Sequence, residues 1–186
     1  MANFEIALNN TLKHEGGYQD NPIDKGNYNS LGQLIGTNFG ISAPTLENYL
    51  NYPPSKVNMQ GLTRFIAEKI YFNNYWGNYK LNEIVSQHIA NQLFDINVLQ
   101  GPSAMADIVQ DALNSIGYHI TNDKSFGPVT RSTINKAILD GKKDVLNAAM
   151  IKEREKRLQS GYWTGWITRA RTFFIDSTDE IGKKKV

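Results

Sequence analysis

The sequence of 186 residues contains no cysteine. A chain without cysteine has no disulfide, no thiolate metal site and no cysteine nucleophile. It also lacks an apolar run of the roughly 20 residues that a membrane-spanning helix needs, so we expect no stable membrane insertion. The N-terminal residues Met-Ala-Asn-Phe-Glu do not open a basic stretch followed by an apolar one, which argues against a Sec-type signal peptide.

Several catalytic signatures are missing as well. The three histidines, His14, His88 and His119, do not have the His-Glu-x-x-His spacing of zinc peptidases. There is no Gly-x-Ser-x-Gly elbow, phosphate-binding loop or dinucleotide fingerprint. The net charge is only +2 and is not gathered in a dense basic stripe. We therefore predict that the chain uses no metal and no organic cofactor, and that nucleic acid is not its partner.

What the chain does contain is helical periodicity. Hydrophobic residues make up 40% of it, which is enough for a normal core. They recur at intervals of three and four residues over most of the length, and Ser42 and Thr130 are suited to cap two of the helices. Residues 18–41 interrupt this pattern, because they are polar and rich in Gly, Asn and Asp. We predict a mainly α fold with a polar loop, including a short β-ribbon, after the first helix.

One acidic residue of the first helix is in an unusual place. Phe4, Leu8 and Leu12 define an apolar side of this helix, and Glu15 falls on that side in the last turn. Partial desolvation and the negative end of the helix dipole would both raise the pKa of this carboxyl group. A glycosidase acid needs a raised pKa, because it must still hold a proton near neutral pH. The alternative is an ordinary glutamate near a helix end.

Two further carboxylates lie in the polar loop. Asp20 and Asp24 are placed where water and hydrogen bonds should keep them ionised. One buried acid and one solvated carboxylate form the pair that glycoside hydrolysis uses. Both residues also stand in turn-forming sequences, so turn formation is the alternative for each. Farther on, the hydroxyl of Thr37 and the amide of Asn38 could position a water or a sugar, or serve only as turn and cap residues.

Aromatic residues cluster between positions 71 and 79. Sugar rings stack on aromatic faces, so this cluster suits a glycan. Tyr75 and Tyr79 are the candidates for exposure and substrate contact, whereas core packing is the expected role of Tyr71 and Trp76.

The order of these elements resembles the signature of glycoside hydrolase family 108. The similarity extends over most of residues 4–174. It is carried by His14-Glu15-Gly16-Gly17-Tyr18, by Asp20, Pro22, Asp24 and Gly26, by Thr37-Asn38-Phe39-Gly40-Ile41, by Ala67, Ile70-Tyr71 and Tyr75-Trp76, and by Phe94-Asp95 with Asn97 and Gly101.

The resemblance implies an N-acetylmuramidase with a lysozyme-like fold, of a type that includes proteins labelled secretion-activating. The catalytic glutamate of the family corresponds to Glu15. Similarity to phage-type lysozymes implies that Asp24 and Thr37 complete the site. The sequence departs from the family pattern at residues 27–35, which separate the second aspartate from the threonine. This insertion leaves Asp20 as a competitor of Asp24.

Other residues are candidates for substrate binding. Tyr18 directly follows the Glu-Gly-Gly element, and Asn38 follows Thr37. Asp95 and Asn97 stand on an otherwise apolar helix, so they need partners and either brace the catalytic helix or line the cleft. Trp163 could contact glycan or the stem peptide.

The C-terminal part contains a second resemblance. Asp123, Phe126-Gly127-Pro128 and Thr130 resemble a signature of peptidoglycan-binding domains, with Lys124 in place of its glycine. We therefore predict three regions: a lysozyme-like catalytic domain at 1–100, a helical peptidoglycan-binding-like module at 101–175, and a flexible tail at 176–186.

The resulting hypothesis is a monomeric muramidase that acts on peptidoglycan glycan strands. It would be made in the cytoplasm and reach the wall through a holin or another route that bypasses the Sec pathway. Two alternatives stay open at this point. A lytic transglycosylase would need Glu15 alone, and a wall-binding or secretion-assisting protein would need no catalytic residue.

Overall fold

The computed structural model describes residues 1–12, 17–158 and 164–173, with the side chains of Thr164 and Trp166 excepted. Helices dominate this part of the chain, which confirms the predicted mainly α class. The α-helices are α1 (Phe4–Leu12), α2 (Ala43–Leu50), α3 (Lys56–Gln60), α4 (Arg64–Tyr71), α5 (Gln87–Ser115), α6 (Pro128–Leu139), α7 (Lys143–Leu158) and α8 (Thr164–Thr172). Single 3₁₀ turns form at Lys25–Asn27 and Leu81–Glu83, and a π-helical turn forms at Phe72–Gly77.

The fold divides into two compact units. We call Leu8–Asn74 the N-terminal unit, and Met1–Ala7 together with Tyr75–Val186 the C-terminal unit. This division by backbone contacts differs from the predicted domains, which end at residues 100 and 175. The domains were predicted from sequence motifs, and the contacts do not test them, so they remain a prediction.

The polar loop of the N-terminal unit is held by isolated antiparallel bridges instead of a continuous ribbon. Within residues 17–41, no strand extends beyond a single bridging pair, so the predicted β-ribbon is reduced to these pairs. The bridges join Gln19 to Thr37, Tyr28 to Leu34, and Asn38 to Ile41.

Side-chain caps fix the starts of the short helices in this unit. The Ser55 hydroxyl accepts a hydrogen bond from the backbone N–H of Asn58, and Asn58 Oδ1 accepts one from the backbone N–H of Ser55, which forms a capping box at α3. Thr63 caps α4 in the ordinary way. Ser42 precedes α2 as predicted, but its hydroxyl contacts Thr45 Oγ1 at 2.9 Å and does not cap the backbone.

The C-terminal unit is a helical assembly built on α5. Helix α5 packs against α6 and α7, and α7 packs against α6 and α8. The backbone of α5 leaves helical geometry at Gly101 (φ 83°, ψ 171°), immediately before Pro102. Proline cannot supply the backbone donor of a continuous helix, so the kink occurs there. The boundary that motifs predicted after residue 100 thus falls within one kinked helix.

Burial confirms part of the predicted core, whereas one helix start needs correction. Tyr71 and Trp76 are each 1% exposed, as expected of core residues. The prediction that Thr130 caps a helix is wrong, because α6 begins at Pro128 with Gly127 at its cap. No described helix is both long and apolar enough to cross a membrane.

Candidate active site

The described residues include most, but not all, of the predicted site. Residues 13–16, and with them Glu15, lie outside the described residues, as does Trp163. The predicted roles of these two side chains therefore stay predictions. The loop that follows Glu15 is described from Gly17 onward, and it contains the predicted residues Tyr18, Asp20, Asp24, Thr37 and Asn38.

Asp24 is exposed at the start of a 3₁₀ turn. Its Oδ1 accepts a hydrogen bond of 2.8 Å from the backbone N–H of Gly26. Its Oδ2 has no hydrogen-bond partner among the residues that the structure describes. The carboxylate of this exposed residue is thus oriented through one oxygen, an arrangement that suits a group acting on a water or on a developing positive charge.

Asp20 has a different environment, because it forms an ion pair. Lys56 Nζ lies 2.7 Å from Asp20 Oδ2, and the hydroxyl of Tyr18 donates to the same oxygen at 3.3 Å. The hydrogen bond from Lys56 lowers the pKa of Asp20 below its usual value, with a smaller contribution from Tyr18. The Tyr18 hydroxyl also lies 3.2 Å from the carbonyl of Ile35, so its one proton is shared between the two acceptors within the loop.

Thr37 is half-buried, and its hydroxyl has a defined partner. Thr37 Oγ1 donates to Asn27 Oδ1 at 2.6 Å. The backbone of Thr37 exchanges two hydrogen bonds with Gln19, of 2.9 Å and 2.8 Å. The start and the end of the polar loop are therefore joined at this residue.

The inserted residues 27–35 do not open the loop. The carbonyl of Asn27 accepts from the N–H groups of Ile35 at 2.9 Å and Gly36 at 3.0 Å, which closes the base of the insertion. Gly36 has a φ of 87°, and a Cβ atom there would lie 2.5 Å from the carbonyl oxygen of Gln19. Only glycine fits this backbone position without a shift.

Asn38 is buried and structurally engaged. Its Nδ2 donates to the carbonyl of Met59 at 3.0 Å, and its backbone exchanges hydrogen bonds with Ile41 across a tight turn. Phe39 within this turn has a φ of 50°, an uncommon conformation for a non-glycine residue. The hydroxyl of Tyr71 donates to the Phe39 carbonyl at 3.0 Å. This placement favours a bracing role for Asn38, and sugar binding by it stays a prediction.

The predicted aromatic contacts belong to the C-terminal unit and are half-buried. Burial raises the pKa of Tyr79, and the nearby Tyr75 adds to the effect. The Tyr79 ring meets Phe126 edge to face, with centroids 6.5 Å apart. Tyr75 and Tyr79 each retain some exposure, so both remain candidates for stacking against a sugar.

Asp95 and Asn97 lie in the interior of the C-terminal unit. Asp95 is 1% exposed, and each carboxylate oxygen accepts a 2.7 Å hydrogen bond, one from Arg154 and one from Arg169. Burial lowers the pKa of Arg154, and the Asp95 charge opposes this change. Asn97 Nδ2 donates to the carbonyl of Tyr75 at 2.9 Å. These contacts give both side chains structural partners within the C-terminal unit, on α7, on α8 and at Tyr75. Bracing of the catalytic helix and lining of the cleft both stay predictions.

The C-terminal unit also has a cleft of about 540 Å³. Gln110, one of the residues that line it, is 2% exposed. Its Nε2 lies 2.8 Å from Asp123 Oδ1 and 3.1 Å from Thr130 Oγ1. The Asp123–Thr130 signature is therefore held together by one buried amide. Binding of wall by this cleft stays a prediction.

Sequence reasoning missed Asn27, Lys56 and Gln110. Asn27 stands inside the apparent insertion, where a polar residue reads as a turn former. Lys56 is distant in sequence from Asp20, so spacing offered no signal for the pair. Gln110 was a clearer case, because a glutamine between apolar positions of an amphipathic helix needs a buried partner.

No group of three or more metal-ligating side chains occurs in the described ranges. The site instead consists of carboxylates, a hydroxyl and amides in a hydrogen-bonded loop. Carboxylates with a positioned hydroxyl suit hydrolysis by acid and base catalysis.

Comparison with known proteins identifies the class. The sequence model of glycosyl hydrolase 108 matches residues 8–101, half of the chain. The chain is therefore a glycoside hydrolase, and it belongs to the glycosyl hydrolase 108 family. This confirms the family that the loop motifs suggested.

A solved structure extends the similarity beyond the matched residues. The structure of Brucella abortus SagA has 25% sequence identity and a TM-score of 0.70, and the alignment covers 94% of this chain and 97% of that one. No curated protein matches the chain in sequence. Family membership together with this structural similarity supports assignment of the chain as a peptidoglycan hydrolase.

Proposed function

We propose that the protein is an N-acetylmuramidase, which hydrolyses the β-1,4 bond between N-acetylmuramic acid and N-acetylglucosamine. Glu15 protonates the leaving oxygen, and Asp24 acts at the anomeric carbon by directing a water or stabilising the oxocarbenium ion. The observation that carries the proposal is the family match over residues 8–101, which contain a loop where Asp24 and Thr37 are both held in place.

Asp24 suits the second role better than Asp20. The charge of Asp20 is already partnered by Lys56 at 2.7 Å, and an ion-paired carboxylate is less able to stabilise another positive charge. Asp24 has one oxygen fixed by the backbone of Gly26, and its exposed side chain forms no ion pair with a described residue. The proposal therefore assigns Asp20 to the structure of the loop.

Thr37 is proposed to hold the attacking water. Its hydroxyl is half-buried and held by Asn27 at 2.6 Å, so its position is fixed before substrate binds. Preorganised polar groups lower the barrier because they need not reorient during the reaction.

Replacement of Glu15 tests the proposal directly. Glu15→Gln keeps the size of the side chain but cannot deliver a proton, so we expect kcat to fall by at least about 10²-fold. The measurement is turbidity loss of purified wall together with kinetics on soluble, uncrosslinked peptidoglycan chains. Glu5→Gln is the matched control, because Glu5 is an exposed residue of the first helix. Full lysis by Glu15→Gln would end the proposal.

Product analysis separates hydrolysis from the related elimination reaction. A hydrolase leaves reducing muramic acid ends, whereas a lytic transglycosylase leaves anhydro ends that mass spectrometry detects. Asp24→Asn should abolish hydrolysis, and a transglycosylase that uses Glu15 alone would tolerate this change. A protein that only binds wall would release no sugar in any of these assays. Release to the wall through a holin and a monomeric state belong to the same proposal and need separate tests.

A further inference from the structure

The side chain of Asn27 is buried in the polar loop and bonded through both of its amide atoms. It is 0% exposed. Its Nδ2 donates to Gln19 Oε1 at 3.0 Å and to the carbonyl of Asn21 at 2.9 Å. Its Oδ1 accepts from Thr37 Oγ1 at 2.6 Å and from Gln19 Nε2 at 3.1 Å. Every hydrogen-bonding capacity of this amide is therefore used.

These bonds fix the orientation of the Asn27 amide. The carbonyl of Asn21 can only accept, so the atom facing it at 2.9 Å must be the donor Nδ2. The opposite atom, Oδ1, therefore faces Thr37 and can only accept. It follows that Thr37 uses its single proton in the bond to Asn27.

This orientation determines what the Thr37 hydroxyl can do. With its proton directed inward, the oxygen presents only lone pairs to its exposed side. A water bound there must donate a hydrogen bond to the Thr37 oxygen, so a lone pair of the water points away from Thr37. A hydroxyl fixed in this way selects one orientation of the bound water.

Asn27 also connects Thr37 to Asp24. The backbone N–H of Asn27 donates to the Asp24 carbonyl at 3.1 Å, within the 3₁₀ turn that Asp24 caps. Its own carbonyl closes the inserted residues at Ile35 and Gly36. One residue thus ties the second carboxylate and the hydroxyl together, although Asn27 and Thr37 are 10 positions apart in the sequence.

We propose that Asn27 is a positioning residue. It leaves the Thr37 hydroxyl able only to accept a hydrogen bond from a bound water, and it fixes the position of this hydroxyl relative to Asp24. The inference rests on the proposed function, because it assumes that Thr37 holds the attacking water. Asn27 itself touches neither the sugar nor the water.

The neighbouring Asn29 provides a matched control. It is also buried, at 4% exposure, and it also forms side-chain bonds within the loop, including 2.9 Å bonds from Nδ2 to Gln33 Oε1 and to the Pro54 carbonyl. None of its bonds in the described structure involves Thr37. Asn27→Leu and Asn29→Leu therefore remove comparable loop bonds, but only the first releases the threonine.

The test compares kcat and KM of these variants on soluble peptidoglycan chains, below their measured unfolding temperatures. We expect Asn27→Leu to lower kcat by about tenfold or more with little change in KM, since general acid–base steps contribute about 10²–10⁴-fold. Asn29→Leu should lower the unfolding temperature and leave kcat within about twofold. Equal kcat for the two leucine variants would overturn the inference.

A double variant measures the coupling to Thr37. Thr37→Val should lose kcat on its own, and Asn27→Leu should cause no further loss in that background, because the hydroxyl that it orients is gone. Additive losses would contradict the assignment. If Asn27→Leu does not fold, Asn27→Asp replaces it. This variant keeps an oxygen for Thr37 and should retain more kcat than Thr37→Val, and an equal loss would also contradict the assignment.

The two proposals fail in different ways. Lysis by Glu15→Gln would remove the muramidase mechanism itself. Loss of activity in Glu15→Gln and Thr37→Val, with normal kcat in Asn27→Leu, would leave the mechanism standing and remove only the role of Asn27.

Discussion

Two loops in this protein, one in each compact unit, each contain a buried side-chain amide that holds a threonine hydroxyl. In the N-terminal unit the amide is Asn27, at 0% exposure, and in the C-terminal unit it is Gln110, at 2%. Each amide forms hydrogen bonds with side-chain and with backbone groups of its loop. A side-chain amide can form four hydrogen bonds, so one buried amide can hold a loop together without a strand or a helix.

The two loops differ in the exposure and the hydrogen bonding of the threonine that each amide contacts. Thr130 is 2% exposed, and its hydroxyl donates onward to the carbonyl of Ser125 at 3.3 Å. Thr37 is half-buried, and its hydroxyl proton goes to Asn27. The threonine of the second loop is therefore enclosed, whereas the threonine of the first loop is partly exposed and has a fixed hydroxyl. That difference separates a structural loop from a candidate catalytic one.

The largest expected effect comes from Gly36→Ala in the first loop. The residue has a φ of 87°, and the new Cβ would stand 2.5 Å from the carbonyl of Gln19, which pairs with Thr37. Left-handed backbone and overpacking together should reduce the free energy of unfolding by about 2–4 kcal/mol. Because the bridge to Thr37 must shift, we also expect a loss of kcat. Urea unfolding and steady-state kinetics measure the two effects.

Gly32→Ala is the control for this change. Gly32 has a φ of 72° in the same loop, but a Cβ atom added there would meet nothing within 4 Å. This variant should lose only about 1 kcal/mol of stability, with unchanged kcat. Similar kcat losses in both variants would mean that the loop responds to backbone strain as a whole, and not through Thr37.

The next effect is expected from Gln110→Leu in the second loop. The change removes the donor to Asp123 and Thr130 and the acceptor of the Lys124 N–H at 3.0 Å. We expect a loss of about 2 kcal/mol, because partially buried groups lose their partners. For a chain of this size that is a fall of about 4–8 °C in the unfolding temperature. Calorimetry provides the measurement.

The value of kcat should distinguish Gln110→Leu from Asn27→Leu, the corresponding change in the first loop. Its kcat on soluble chains, per folded molecule, should equal that of the wild type, whereas Asn27→Leu should lose kcat. A matching loss in Gln110→Leu would break the comparison between the two loops.

The smallest effect is expected at the exposed edge of the first loop. Lys56→Met removes the ion pair that lowers the pKa of Asp20 from 3.8. A lowered folded pKa stabilises the protein above the unfolded pKa, and this contribution is lost as pH falls through the folded value. The small stability difference between wild type and variant should therefore be present near neutral pH and vanish in acid.

Urea unfolding at several pH values checks this expectation, and Lys25→Met, which replaces an exposed lysine within the loop, is the control. A difference that persists below the folded pKa of Asp20 would show that Lys56 acts through packing instead of charge. Since kcat should not change in Lys56→Met, a shifted pH–rate profile would favour Asp20 over Asp24 as the second carboxylate.

The sequence alone was sufficient for the helical class, the family and the candidate residues. Helical periodicity is a local property, so it predicted the mainly α class without knowledge of the fold. The core positions expected for Tyr71 and Trp76 are also confirmed. The loop motif around Asp24 and Thr37 was equally local, and it led to the family that the match over residues 8–101 confirms.

Only the tertiary structure decided how these residues are held. The pairing of Lys56 with Asp20, the burial of Asp95 between two arginines, and the closure of residues 27–35 by Asn27 all join positions that sequence spacing does not relate. Hydrogen bonds between side chains depend on distances and directions that are set after the chain has folded. The sequence therefore determined which groups are available for the chemistry, and the folded loop determined which of them are fixed, partnered or left open to water.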